Sequence, residues 1–280
     1  MTANEQQREH WNGSESEHWV THADRYDRQL EPFVSPLLDR LGIRPGDRVV
    51  DIGCGCGATT LEVAQRGAER VVGIDISAPM LAVARERARA AGVATVEFVV
   101  ADAQTHRFEA SSVDVVASRF GVMFFDDPLA AFTNLHGALA AAGRLGFVCW
   151  QPLAANPWLL VPGLAAAAHV PLPELDGDGG PGMFSLASPD TIRAILQGSG
   201  FARVDVEALT PTLTLGGAES LGDAVDYLLG TGIARAILDP APPDARQRAI
   251  EAVTAVLAEH HEPGLGVRLG SGAWLVTATR

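Results

Sequence analysis

Short apolar runs alternate with segments of helical periodicity over residues 47 to 150. The helical segments are rich in Ala and Leu, whereas runs rich in Val and Ile lie near 47–52, 70–75, 95–100, 113–118 and 144–150. Apolar runs of this length are typical of strands that are buried on both faces. Their alternation with helices predicts a parallel sheet with helices on both sides, and hence an α/β fold.

Polar residues end the first four of these runs. Asp51, Asp75 and Asp102 stand at or just after the ends of the first three, and Ser118 ends the fourth. Because the carboxyl ends of parallel strands meet at one edge of a sheet, we expect these side chains to lie close together. The sequence therefore predicts a ligand site at this edge.

A glycine-rich turn follows the first run. After Asp51 the chain reads Ile52-Gly53-Cys54-Gly55-Cys56-Gly57, and a helical pattern covers 58–66. Glycines permit a sharp turn and let a ligand lie against the backbone. The N-terminus of the following helix adds free N–H groups and a partial positive charge. These features predict a site for a nucleotide-type cofactor.

Two cofactor classes fit this turn. Gly53, Gly55 and Ala58 match the dinucleotide fingerprint, and Asp75 lies where an acid that binds ribose is expected, so a nicotinamide-dependent oxidoreductase is one interpretation. Asp51 opposes it, because a carboxylate beside a doubly anionic pyrophosphate is electrostatically costly. A cationic ligand without phosphate tolerates that acid, and S-adenosylmethionine, with its sulfonium and α-amine, is such a ligand.

Motifs in register from about residue 40 to 150 resemble those of the class I S-adenosylmethionine-dependent methyltransferases, most nearly the quinone-biosynthesis type. They lie at 49–57, 71–77, 98–103, 112–118 and 139–145, with Ala142 where that family often has proline. The resemblance implies a Rossmann-like, seven-stranded, mostly parallel sheet flanked by helices, with a helical substrate cap. It also implies in-line methyl transfer to a small acceptor. A protein that binds the cofactor without catalysis is the alternative.

The resemblance also implies which residues hold the cofactor. Asp51 and the glycine turn would take the amino-acid end, Asp75 the ribose, and Asp102 with Ala103 the adenine. The full implied set is Asp51, Gly53, Cys54, Gly55, Asp75, Ile76, Met80, Asp102, Ala103 and Ser118.

The resemblance implies that residues after the fourth strand bind the acceptor. Phe120 and Met123 lie within five positions after Ser118, and Trp150 and Trp158 come later in the chain. Together they predict a planar, fairly hydrophobic acceptor, aromatic or heterocyclic, of the kind found in secondary metabolism, the last by fold-level analogy alone. Arg119 would bind a carboxylate of the cofactor or acceptor, or else pair with Asp102 or Asp126.

The N-terminal segment contributes candidate catalytic residues. Residues 18–26 read as one helix that places His18, His22 and Tyr26 roughly along one face. In the resembling family this segment often folds over the cofactor as a lid. His22 and Tyr26 are therefore the candidates for a base, and solvated histidines on a helix packed by Trp19 and Tyr26 are the alternative.

The chain is expected to form one domain over residues 1–280. A helical lid (1–40) would precede the cofactor-binding core (41–150), and 151–188 and 210–270 would be cap insertions. Residues 176–182 read as a mobile loop, with helices near 218–230 and 243–260 and late strands at 201–208 and 272–279. A homodimer interface or additional core packing is the alternative role for the second insertion.

Composition narrows the partners. The 280 residues are 47% hydrophobic and carry a formal net charge of −13, which argues against nucleic acid or an anionic membrane surface as partner. No apolar stretch is long enough to span a bilayer and no signal peptide is evident, so we expect a cytoplasmic protein. No metal is expected, because neither Cys54-x-Cys56 nor the acids near Asn134 are accompanied by a full ligand set.

Overall fold

The computed structural model describes residues 3–172 and 180–280. Its strands, in chain order, are β1 Arg48–Ile52, β2 Arg70–Asp75, β3 Val96–Val100, β4 Val113–Arg119, β5 Leu139–Trp150, β6 Arg203–Leu209, β7 Thr212–Thr214, β8 His261–Glu262, β9 Gly266–Gly270 and β10 Ala273–Thr279. Its α-helices are α1 Glu5–Asn12, α2 Ser14–Thr21, α3 Ala23–Leu30, α4 Val34–Leu41, α5 Ala58–Gln65, α6 Ala78–Ala90, α7 Pro128–Ala138, α8 Pro157–Ala167, α9 Pro189–Gly198, α10 Leu221–Gly230, α11 Gly232–Leu238 and α12 Pro243–Ala258.

Seven strands form one mostly parallel sheet in the order β3-β2-β1-β4-β5-β10-β6. Strand β10 runs antiparallel to both of its neighbours, β5 and β6. The predicted α/β fold with a seven-stranded, mostly parallel sheet is confirmed. The strand order reverses between β1 and β4, and such a reversal opens a crevice at the carboxyl ends of the strands.

Strand β1 lies in the middle of the sheet, where its apolar sequence requires burial. It pairs with β2 on one side and β4 on the other, so that Asp51 lies in register with Gly73 and Ala117. Ser118 links the ends of β4 and β1, because its hydroxyl donates a 2.7 Å hydrogen bond to the carbonyl of Ile52. The polar ends of the central strands are therefore brought together, as predicted.

The N-terminal segment differs from the single helix that was expected over 18–26. The chain breaks between α2 and α3 at His22, whose φ of −112° and ψ of 24° are not helical. The prediction of a single helix over 18–26 is therefore wrong. The rings still meet, because the break keeps the centroids of His18 and Tyr26 5.8 Å apart.

The expected helices of the second insertion are present as α10 and α12, and two features there were not expected. One is the short helix α11, and the other is a three-stranded sheet in the order β7-β9-β8. This sheet and α10–α12 are called the cap below. The predicted mobile loop at 176–182 lies for the most part outside the described residues. Within the described part of the chain, none of the helices has the length and hydropathy needed to cross a membrane.

Candidate functional site

One large cavity, with a volume of about 510 Å³, opens at the carboxyl ends of the strands. That volume lies in the usual range for small-ligand pockets. The ends of β1, β2 and β4 line one part of it, the N-terminal helices another, and the cap a third. Of the sequence-predicted site residues, the cavity lining includes Tyr26, Asp51, Gly53, Cys54, Gly55, Asp75, Ile76, Met80, Asp102, Ala103, Arg119, Phe120, Met123, Trp150 and Trp158.

Two predicted site residues do not line the cavity. Ser118 is fully buried, and its hydroxyl is committed to Ile52 and to the backbone N–H of Gly121. It therefore positions the turn and leaves no group for a ligand. His22 packs against His18 behind the lining, with 4.5 Å between the ring centroids.

The glycine turn depends on a close backbone approach. Gly53 has a φ of +64°, and a Cβ at this position would lie 2.7 Å from the Cα of Gly121. The backbone N–H of Gly53 donates to the carbonyl of Ile74, and the N–H of Gly55 donates to Oδ2 of Asp75. The turn is thereby fixed between β1, β2 and the segment after β4.

Asp51 is buried beneath the turn with half of its carboxylate unpaired. The hydroxyl of Thr60 donates to Oδ2 at 2.6 Å, whereas Oδ1 has no hydrogen-bond partner among the described residues. Burial raises the pKa of Asp51 to about 7, although the Thr60 hydrogen bond and Arg119 act in the opposite direction. An unpaired buried oxygen beside a cavity is suited to a ligand that carries a positive charge.

Arg119 provides the complementary unpaired group. Its Nη2 lies 3.4 Å from Oδ1 of Asp27, whereas Nη1 is buried without a partner among the described residues. The expected alternatives of pairing with Asp102 or Asp126 are wrong, because α3 brings Asp27 over the end of β4 instead. An ammonium at Asp51 and a carboxylate at Arg119 would satisfy both orphaned atoms, and S-adenosylmethionine carries both groups on one carbon.

Asp75 is positioned for a diol. Its Oδ2 accepts from the backbone N–H of Gly55 and its Oδ1 from that of Ser77, both at 2.8 Å. Each carboxylate oxygen can accept a further hydrogen bond, so two ribose hydroxyls can be held together. Burial raises the pKa of Asp75, and its backbone hydrogen bonds oppose that shift.

Asp102 has a partner that sequence reasoning missed. The side-chain amide of Asn4 donates to Oδ1 of Asp102 at 2.9 Å, and the N–H of Gln104 donates to the same oxygen. The remaining oxygen, Oδ2, lies 3.2 Å from the hydroxyl of Thr105. The predicted adenine site is thus covered by the start of α1.

Aromatic side chains form the apolar part of the cavity. Phe120 stacks on Trp150 with 4.0 Å between centroids and 16° between planes, and Trp158 lies 5.2 Å from Trp150. Met123 packs behind them, its sulfur 3.5 Å from the backbone nitrogen of Trp150. Phe120, Trp150 and Trp158, called the aromatic wall below, suit a planar apolar ligand.

Tyr26 contacts both the lid and the cap. Its ring stacks on Trp19 at 3.5 Å and meets the ring of Tyr227 edge-on at 5.1 Å. Burial raises the pKa of Tyr26, so the phenol is neutral at neutral pH. Burial also lowers the pKa of His18 to about 4 and lowers that of His22. Both histidines are therefore mainly uncharged near pH 7.

Sequence reasoning also missed Glu15 and Tyr227, which line the cavity from opposite ends of the chain. Neither belongs to a motif, and helical periodicity would place Tyr227 simply in the apolar face of α10. Only their approach in space marks them. No group of three or more His, Cys, Asp or Glu side chains is arranged to hold a metal ion in the described residues.

The chain matches known proteins mainly in its core. Residues 49–143 match a family model described as a methyltransferase domain. The chain is 36% identical over 128 residues to aklanonic acid methyltransferase DauC of Streptomyces sp. strain C5, covering 44% of this chain and 58% of that protein. It is 29% identical over 198 residues to nocamycin O-methyltransferase of Saccharothrix syringae, covering 65% and 71%.

A third relative has a different kind of acceptor in its name. Phosphoethanolamine N-methyltransferase 1 of Arabidopsis thaliana is 34% identical over 130 residues, which cover 43% of this chain and 26% of that protein. The chain thus spans less than two thirds of the length of DauC and of the Arabidopsis protein.

Solved structures agree on the fold. A protein named as a methyltransferase from an antibiotic biosynthesis pathway of Anabaena variabilis superposes with a TM-score of 0.63, covering 89% of this chain and 96% of that one. The two are 17% identical, so this likeness concerns the fold alone.

Proposed function

Since residues 49–143 belong to the class I S-adenosylmethionine-dependent methyltransferases, we propose that this protein transfers a methyl group to a small planar acceptor, aromatic or heterocyclic. One observation carries the proposal. A single cavity contains both the orphaned atoms of Asp51 and Arg119 and the aromatic wall, so a charged cofactor end and an apolar acceptor fit side by side.

The cofactor half of the cavity supports the donor. S-adenosylmethionine supplies a methyl group already activated by the sulfonium. The residues of this chain then have to bind and orient it, with Asp51 and Arg119 at the amino-acid end, Asp75 at the ribose and Asp102 at the adenine. Because the leaving group is activated, orientation and exclusion of water account for most of the expected rate gain, and proximity alone contributes roughly 7–11 kcal/mol.

The acceptor half supports an apolar, uncharged acceptor. Among the carboxyl and guanidinium groups of the described lining, those of Asp51, Asp75, Asp102 and Arg119 are assigned to the cofactor. The carboxyl groups of Glu15 and Asp27 remain for the acceptor half. A phosphate dianion would meet net repulsion there. The aromatic wall offers stacking surfaces for a planar ring instead. We therefore favour a ring acceptor of the secondary-metabolite type over a phosphobase.

Tyr26 is the predicted catalytic residue that the cavity retains. Its neutral hydroxyl is proposed to orient the reacting atom by a hydrogen bond. Its raised pKa keeps the phenol protonated at neutral pH, so no phenolate is present to accept a proton from the acceptor. His22, which does not line the cavity, is proposed only to support His18 and the packing of α2 against α3.

Calorimetric titration with S-adenosylhomocysteine, with NAD as the control ligand, tests the cofactor assignment. We expect binding of the first alone. Asp75→Ala is expected to weaken that binding by about 1.5–3 kcal/mol, as for loss of hydrogen bonds to a charged group. Asp226→Ala removes an exposed acid of α10 and is expected to leave it unchanged. Tight NAD binding without S-adenosylhomocysteine binding would reject the proposal in favour of an oxidoreductase.

Turnover with methyl-labelled donor tests the acceptor class. We expect label in hydroxylated naphthalenes or anthraquinones and none in phosphoethanolamine. Labelled phosphoethanolamine would reject the planar acceptor. Cofactor binding without turnover on any acceptor would favour a non-catalytic binding protein.

A further inference from the structure

The hydroxyl of Tyr227 is buried inside the protein and has no hydrogen-bond partner among the described residues. Tyr227 is 2% exposed and lines the cavity from α10. A buried hydroxyl without a partner is unfavourable, and native structures keep few of them. A ligand in the cavity is the natural source of the missing partner.

The ring of Tyr227 is fixed by contacts that do not involve its hydroxyl. The guanidinium carbon of Arg25 lies 4.9 Å from the ring centroid. Arg25 is itself held by hydrogen bonds to the carbonyls of Gly216 and Asp223. A Cβ at Gly216 would lie 2.6 Å from the Tyr227 ring, so the backbone there packs directly on it. A phenylalanine would make the same ring contacts, so these contacts do not require the hydroxyl.

Glu15 supplies a hydrogen-bond acceptor to the lining of the same cavity. Glu15 lines it from α2, with a side chain that is 11% exposed, and its Oε2 accepts from Nη2 of Arg235 at 3.0 Å. A Cβ at Gly232 would lie 2.2 Å from that oxygen, so the absence of a side chain at position 232 makes room for the carboxylate. The second oxygen of Glu15 is available as an acceptor.

Glu15 and Tyr227 are electrostatically close. Burial raises the pKa of Tyr227 well above its usual value, and the neighbouring phenol of Tyr26 and then the Glu15 carboxylate add to that shift. The phenol therefore stays protonated and acts as a donor at neutral pH. One donor and one acceptor, both in a cavity otherwise rich in aromatic surface, match a group that accepts and donates at once.

We infer that Tyr227 and Glu15 form the polar end of the acceptor pocket and bind a hydroxyl group of the acceptor. The hydroxyl of Tyr227 donates to the oxygen of that group, and the group donates its own hydrogen to Glu15. The aromatic wall takes the ring that bears it. The acceptor class is then a hydroxylated planar ring, and this inference rests on the proposed function.

Titration of protein saturated with S-adenosylhomocysteine tests this inference with two probes, 2-naphthol and 2-methylnaphthalene. The probes have the same ring system and differ in the hydroxyl. We expect Tyr227→Phe to weaken 2-naphthol binding about tenfold and 2-methylnaphthalene binding less than about twofold. Glu15→Gln, which keeps the size of the side chain, is expected to weaken 2-naphthol binding selectively as well.

A spectroscopic readout separates recognition from packing. The chain has two tyrosines, so protein labelled with 13C at the tyrosine ζ carbon gives two resonances, and the one missing in Tyr227→Phe is that of Tyr227. We expect 2-naphthol to shift that resonance and 2-methylnaphthalene to leave it in place.

Three results would overturn the inference. They are equal losses for both probes in Tyr227→Phe, no loss for either, or no binding of 2-naphthol to the saturated wild-type protein. In each case S-adenosylhomocysteine binding, measured first on the same sample, shows that the cofactor assignment stands. If S-adenosylhomocysteine itself does not bind, the proposed function and this inference fail together.

Discussion

The side-chain amide of Asn4 is hydrogen-bonded to Asp102, 98 positions later in the chain, with 2.9 Å between Nδ2 and Oδ1. The same side chain donates to Oε1 of Gln104 at 3.1 Å and accepts from the backbone N–H of Asp126 at 2.7 Å. Asn4 is 2% exposed and directly precedes α1. One asparagine therefore ties the beginning of the N-terminal lid to the rim of the adenine site.

Asn4→Ala is expected to loosen the lid without unfolding the core. It leaves Oδ1 of the buried Asp102 and the backbone N–H of Asp126 without the Asn4 side chain as partner, which favours local opening. Arg8 lies in α1, so trypsin cleavage after Arg8 reports on that opening. We expect cleavage to be at least about fivefold faster in Asn4→Ala and unchanged in Gln6→Ala, an exposed neighbour. Equal rates in both variants would show that Asn4 does not hold the lid.

The raised pKa of Asp51, about 7, predicts opposite pH effects on folding and on cofactor binding. The folded, cofactor-free protein holds a proton on Asp51 that the unfolded chain releases near pH 4. This residue's contribution to stability is therefore present below about pH 4 and is lost as the pH rises through about 7. Asp51→Asn mimics the protonated form, and we expect it to stabilise the free protein at pH 8 by roughly 2–4 kcal/mol and to have little effect at pH 4.

Cofactor affinity is expected to depend on pH in the opposite sense to stability, because a charged Asp51 pairs with the cofactor ammonium. We expect the affinity for S-adenosylhomocysteine to fall as the pH drops below about 7, and this dependence to disappear in Asp51→Asn. Chemical denaturation and calorimetry at pH 4, 6 and 8 measure both effects. An affinity that falls in parallel for wild type and variant would contradict the assignment of Asp51.

Gly53→Ala is expected to disrupt the glycine turn. The added Cβ would lie 2.7 Å from the Cα of Gly121, and the φ of +64° is also unfavourable for alanine. We expect at least about tenfold weaker S-adenosylhomocysteine binding, because the backbone that faces the cofactor has to move. Gly42→Ala is the matched control. Gly42 has a similar φ of +58°, but a Cβ added there would have no atom within 4 Å. Equal effects on binding in both variants would mean that backbone conformation matters and the close approach does not.

His22→Ala and Tyr26→Phe are expected to differ in their effect on the rate of methyl transfer. Tyr26 lines the cavity and His22 does not, so we expect His22→Ala to retain methyl transfer within about threefold and Tyr26→Phe to lose at least about tenfold in kcat. Steady-state rates with a hydroxylated ring acceptor measure this difference. A large loss in His22→Ala with normal cofactor binding would restore His22 as the base.

The positions of Asp51, Asp75 and Asp102 were predictable because the signals that place them are local. Each follows an apolar run whose length and composition suit a buried strand, and parallel strands align their carboxyl ends by topology. The same reasoning correctly predicted the bounds of β1, β2 and β3 to within about one residue. It failed at His22, where two short helices replace one because the segment bends around the cavity.

The sequence by itself determined the sheet, the glycine turn and the acids at the strand ends, because strand periodicity and glycine conformation act over a few neighbouring residues. Only the tertiary structure decided that Asn4 meets Asp102, that Arg119 meets Asp27, and that Glu15 and Tyr227 share the cavity with the aromatic wall. These residues come from elements far apart in the chain. No local pattern records which of their side chains meet, because that depends on how the lid and the cap pack over the strand ends.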